Sequence, residues 1–204
     1  MNQFHIFETA IGWAGVAWGD LADGSRGLIA AHLPEADPAL ARRSFARRVP
    51  DAIETSSPPP DMQSVIEAIR ALMRGEKADL SSAPLDIARV PEFNARVYAI
   101  ARAIPPGKTM TYGEIAIQLG DRLLARDVGA ALGKNPWPIV VPCHRVTAAG
   151  GKLGGFSARG GSDTKLRLLE IEGAEAAAVA RADQEKAALK AARKAEPPKQ
   201  PRLL

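Results

Sequence analysis

The stretch from Thr109 to Pro138 constrains the fold most, because its capping and turn residues fix a local layout before any long-range contact is considered. Thr111-Tyr112-Gly113-Glu114 has the spacing of a capping box, in which the threonine hydroxyl and the glutamate carboxylate satisfy orphan amides at a helix start. That helix runs to Leu119, Gly120-Asp121 turns the chain, and a second helix follows from about Leu123 to Gly133. Helix, short turn, helix is the layout of a helix-turn-helix, although simple packing uses it too. The second helix carries Gly129, Ala130 and Ala131, small residues that let a backbone approach another surface closely, with Arg126 near its start. A helix-helix contact would use the same residues.

The preceding sequence predicts an α+β unit. Phe4 to Trp18 alternates around Thr9-Ala10-Ile11-Gly12 and reads as a β-hairpin, and Gly27-Leu28-Ile29-Ala30-Ala31 as a further strand. Asp37-Pro38 opens a helix whose Arg42, Arg43, Arg47 and Arg48 read as a solvated face. After the Ser56 to Pro60 loop, Met62, Val65, Ile66, Ile69, Leu72 and Met73 recur at helical spacing, a core stripe ended by Gly75. Leu80 to Val90 has no strong periodicity and reads as a connection. A helix from Pro91 to Ala103 then places Phe93, Val97, Ile100 and Ile104 on one face before Pro105-Pro106-Gly107 stops it. The expected organisation is an N-terminal α/β domain over 1–85, a mostly helical domain over 90–173, and an Ala/Lys-rich tail over 174–204 that passes from marginal helix to disorder.

Composition narrows the function classes. A chain of 204 residues, 46% apolar, can bury a substantial core. It has no leader-like start at Met1 to His5 and no segment fit to span a bilayer, so cytoplasmic residence is the default expectation. One cysteine allows neither an internal disulfide nor a thiolate zinc cluster, and His5, His32 and His144 are scattered; neither metal nor cofactor is implied. The formal charge of +4 fits a polyanionic partner without demanding one. From Ala174 onward seven basic residues face four acidic ones, so most of the excess lies in the tail.

That cysteine, Cys143, follows the apolar Ile139-Val140-Val141, a proline, and precedes His144-Arg145. Proline ends the run where a packing cysteine would continue it, and the flanking cations favour a thiolate. On adjacency alone a buried structural cysteine is an equal alternative.

Several spaced segments sharpen this. Thr109 to Ala116, Arg126 to Pro138, Ile139 to Val146, Gly154-Gly155-Phe156-Ser157 and Leu168 to Gly173 together resemble the O6-alkylguanine-DNA alkyltransferases, strongly from Phe93 to Gly173 and weakly before. The resemblance implies a ribonuclease-H-like N-terminal domain and a helical C-terminal domain with a helix-turn-helix whose second helix enters the minor groove. It implies duplex DNA carrying O6-alkylguanine as partner, a monomer without membrane association, and one irreversible alkyl transfer to Cys143, and it leaves activity on O4-alkylthymine open. By the same resemblance Arg126 intercalates for the flipped base, and Cys143, a water, His144 and Glu172 form a proton relay. Asn135 links the recognition helix to the active-site strand, and Tyr112 donates to the base at N3. The carbonyls of Cys143 and Val146 and the Ser157 amide read the base, and Lys165 sits at the pocket rim. Phe156 stands where tyrosine is expected, and the loop through Asp163 is about two residues longer than usual, leaving pocket width open. The competing class is a non-enzymatic alkylguanine sensor of the same fold, and the presence of Cys143 argues against it. A cysteine hydrolase is weaker still, since it leaves Arg126 and the helix pair without purpose.

Overall fold

The computed structural model describes residues 1–195, a mixed α+β chain. Strands β1 (Gln3–Thr9), β2 (Gly12–Asp20) and β3 (Arg26–Glu35) form an antiparallel meander. Helix α1 (Pro38–Arg48) returns the chain so that the short β4 (Ile53–Glu54) pairs parallel to β1, giving the order β3-β2-β1-β4. The hairpin needs Gly12: its φ is 133°, and a Cβ there would meet the Glu35 carbonyl oxygen at 2.4 Å. The third strand is about twice the length its apolar run suggests, because pairing with β2 carries it on to Glu35.

Helix α2 (Pro60–Met73) buries its apolar stripe beneath the sheet. Its side chains share one continuous core with Trp18 and Leu28 of the sheet and with Val97 and Tyr98 of α3 (Glu92–Arg102). The short strand β5 (Met110–Thr111) leads into α4 (Tyr112–Gln118), where both halves of the Thr111–Glu114 capping box form. A 3-10 turn at Arg122–Leu124 intervenes, so α5 spans Ala125–Gly133 rather than starting at Leu123. Beyond it β6 (Val146–Thr147) pairs parallel to β5, and α6 (Gly161–Ile171) follows.

Helix α7 (Glu175–Ala195) departs from the marginal helix expected of the tail. Ala177 and Ala180, with the preceding Ala174, are buried against Leu166 and Leu169 of α6. The disorder expected further on falls on residues outside those described. Among the described residues no helix is long and apolar enough to cross a membrane.

Candidate active site

Asn135 builds the loop that presents the cysteine. Its side-chain amide donates to the Val141 carbonyl (2.8 Å) and its carbonyl oxygen accepts from the Trp137 amide (2.9 Å), closing the turn from both ends. The loop is then tied to the sheet. Ala31 N–H donates to the Pro136 carbonyl (2.9 Å), the Trp137 indole donates to the Leu28 carbonyl (2.8 Å), and Arg48 bridges the Ala31 and Asn135 carbonyls (3.2 and 3.3 Å). Arg48 therefore leaves the solvated face on which its helical spacing put it. Ile139 has a φ of 77°, a strained value for a β-branched residue, just before the cysteine. No strand carries the nucleophile: Cys143 opens a 3-10 turn over Cys143–Arg145, with its amide donating to the Val141 carbonyl (2.8 Å).

His144 and Arg145 do not flank the thiol as free cations; both turn to Glu172. His144 Nε2 lies 3.0 Å from Glu172 Oε1, with their side chains 1% and 3% exposed. Arg145 forks onto the same carboxylate (2.8–3.2 Å) and gives its remaining donor to the Ile104 carbonyl. Gly107 N–H adds a long contact at 3.4 Å. Burial alone would raise the Glu172 pKa, but the His144 and Arg145 hydrogen bonds override it and hold the carboxyl at about 2. Burial pushes His144 below its ordinary value against the pull of Glu172, so the resting imidazole is neutral. It pushes the Cys143 thiol up, and the Asn135 amide and Lys165 ammonium oppose that shift without cancelling it. The resting state is thus a thiol beside a neutral, anion-backed imidazole. This reverses the expectation that the adjacent charges poise a thiolate.

Cys143 lines a cavity of about 490 Å³ together with Tyr112, Arg126, Gly129, Phe156 and Ser157. The outer face of α5 carries Arg126, Gly129, Ala130 and Gly133 at helical spacing, whereas Ala131 is buried and its carbonyl accepts from the Tyr98 hydroxyl (2.8 Å). Ala131 therefore cannot serve close approach, and Gly133 takes its place on that face. The Tyr112 hydroxyl donates to the Gly155 carbonyl (3.1 Å), and the Ser157 hydroxyl to the Gly133 carbonyl (3.2 Å). Lys165 is not at the rim. It is fully buried, donates to the Val146 carbonyl, and holds its ammonium 5.7 Å from the Tyr112 ring centre and 6.0 Å from that of Phe156. Burial lowers its pKa to about 8, partly offset by Cys143. Val146 is buried and its carbonyl accepts from that lysine with one of its two lone pairs.

The residues missed by sequence reasoning are Arg48, Gly133 and Gly154, and Arg145 reads in the sequence only as an aid to the thiol, not as the partner of Glu172. Gly133 alone had a local signal, its place seven residues after Arg126. The others depend on partners distant in the chain.

The family described as 6-O-methylguanine DNA methyltransferase, DNA binding domain, matches residues 92–174. A methylated-DNA–protein-cysteine methyltransferase of Methanothermobacter thermautotrophicus is 39% identical over 118 residues, 58% of this chain and 65% of that one. The matched stretch thus spans just under two thirds of that relative. A DNA base-flipping protein of Thermus thermophilus is 43% identical over 110 residues, 54% of this chain and 72% of its own. The crystal structure of a Mycobacterium tuberculosis O6-methylguanine methyltransferase superposes with a TM-score of 0.64 at 32% identity, covering 85% of this chain and 93% of that one.

Proposed function

We propose, from the premise that this chain belongs to the O6-methylguanine-DNA methyltransferase family, that it repairs duplex DNA by moving the alkyl group of O6-alkylguanine onto Cys143, once per molecule. The observation that carries this reading is a cysteine opening into a cavity under the exposed face of α5, followed in the chain by a buried His144–Glu172 pair. A structural cysteine needs no such pair.

The α4–turn–α5 unit acts as a helix-turn-helix, and the β3-β2-β1-β4 sheet with its parallel fourth strand supports the ribonuclease-H-like reading of the N-terminal part. The division at 85–90 is kept as a functional boundary, and one core runs across it. Gly129, Ala130 and Gly133 leave the α5 backbone free to approach a groove. Arg126, exposed at the cavity mouth, fills the space left by an extruded nucleotide, stacking and donating to the orphaned partner.

In the transfer step the Cys143 proton passes through a water to neutral His144, and Glu172 stabilises the resulting imidazolium. The thiolate sulfur attacks the alkyl carbon in line, the carbon–O6 bond breaks, and its electron pair leaves with the guanine. The proton lost by the thiol is finally carried by the guanine ring, so thiol and alkylguanine become thioether and guanine. Tyr112, released from the Gly155 carbonyl, donates to the base and offsets the charge on the leaving group. Lys165 supports it from beneath. Asn135 holds the cysteine loop in register with α5.

The test is to follow the oligonucleotide: excess protein converts all O6-methylguanine to guanine in a single phase, and limiting protein converts an amount equal to the protein added and then stops. A sensor binds the duplex and leaves the base methylated. Two further results follow. Gly154 has a φ of 73°, and a Cβ there would lie 2.9 Å from Tyr112 Cε2 and 3.3 Å from its hydroxyl. Gly154→Ala should cost about 1–2 kcal/mol in chemical denaturation. It should also slow transfer at saturating DNA while leaving affinity for undamaged duplex unchanged. Methylation of Cys143 adds bulk in a packed site, so the alkylated protein should melt below the free form in calorimetry; a higher melting temperature contradicts this.

A further inference from the structure

Residues 1–184 are electrically balanced. Of 27 basic and 23 acidic side chains, six basic and two acidic ones follow Gln184, leaving 21 of each before it. The whole formal charge of +4 therefore belongs to the last twenty residues, where Lys186, Lys190, Arg193 and Lys194 lie within α7, opposed in the same stretch of that helix by Glu185 and by Asp183, which lies 3.9 Å from Lys186.

The fold gives this charge a place. Helix α7 runs back along α6: Arg181 pairs with Glu170 near the end of α6 (2.6 Å), and Gln184 reaches Asp163 in its first turn (3.4 Å). Burial on α6 ends at Ala180, and every residue from Glu185 to Ala191 is exposed. At 1.5 Å per residue, the seven exposed residues from Glu185 to Ala191 carry α7 roughly 10 Å beyond its last contacts with the body. They leave it at the N-terminal end of α6, the end fed by Phe156 and Ser157 of the cavity wall. Val179 anchors the same helix against Gly151, in the loop that leads to Gly154 and the Tyr112 ring.

We propose that the overhanging basic end of α7 is an accessory arm that binds the phosphate backbone of duplex DNA beside the extruded nucleotide. The inference rests on the DNA partner proposed above. It assigns the arm sequence-independent affinity, and leaves base recognition and chemistry to the cavity.

The test uses the full chain, a chain ending at Gln184, and the full chain with Lys186→Gln, Lys190→Gln, Arg193→Gln and Lys194→Gln combined, since glutamine keeps the helix. Affinity for an undamaged duplex of about two helical turns is measured across a salt series. At about 0.9 per neutralised phosphate, the slope of log K against log salt should flatten by about 3 to 4 in the glutamine variant and by at least as much in the truncated chain, which also lacks Lys199 and Arg202. Their transfer rate at saturating O6-methylguanine duplex should match the parent. Superimposable salt slopes overturn the proposal, as does binding to phosphatidylglycerol vesicles that the variants lose while their DNA slopes stay unchanged. Failure of the underlying reading is distinct: it appears as absence of transfer in the unmodified chain.

Discussion

Glu172→Gln should destabilise the protein by about 3–5 kcal/mol and slow alkyl transfer by about a hundredfold or more. The carboxylate is the common acceptor of His144 and of the Arg145 fork, all deeply buried. An amide of the same shape leaves the guanidinium without its countercharge and removes the anion that stabilises an imidazolium. Denaturant unfolding should show a lowered midpoint at unchanged slope. The acid limb gives an independent check. The folded-state pKa of about 2 lies below the ordinary carboxylate value, so the stability tied to ionised Glu172 is complete above that ordinary value. It is lost as pH falls toward and through 2. The wild-type advantage over the variant should shrink across that window, and a constant difference would show that the charge is not the cause.

Trp137→Ala should cost about 3–5 kcal/mol, although the residue touches no reacting atom. The indole is fully buried, packs edge-on against Tyr98 at 6.1 Å and donates to the Leu28 carbonyl. Truncation opens a cavity where the sheet meets the cysteine loop and removes one of the two donors to the Leu28 carbonyl, which keeps its bond from the Asp86 amide (2.9 Å). Trp137→Phe keeps much of the volume and loses only the N–H, so it should cost about 0.5–1.5 kcal/mol. A Cys143 thiol titrated in both variants should move only in the alanine protein, where the Asn135 turn loosens.

What could be read in advance was local. The capping box depends on residues three apart, and the α2 stripe on helical period, so both stand where their spacing put them. Cys143 and Tyr112 line one cavity because α4, α5 and the loop after it are nearly contiguous in the chain. The errors concern side chains whose partners are remote. Arg48 is 87 residues from Asn135, and Arg145 is 27 from Glu172; a cation reads as solvated, or as an aid to its neighbour, until the fold shows which acceptor it meets. The resemblance puts Lys165 at the rim, whereas a carbonyl and two aromatic faces hold it inside, a rare place for a lysine. Ala131 matches Gly129 and Ala130 in size, but its place two residues after Gly129 turns it inward. The docking of α7 rests on alanines at positions 174, 177 and 180, a stripe too weakly apolar to distinguish from a solvated helix.

The most direct test of the central claim is the intact mass of the protein after incubation with a duplex bearing one O6-methylguanine, with Cys143→Ala alongside. A stoichiometric gain of one CH₂ unit is expected, mapped to the peptide containing Cys143 and absent from the variant. An unchanged mass under conditions where the duplex is tightly bound would contradict it, and would make this chain a reader of the lesion rather than its repairer.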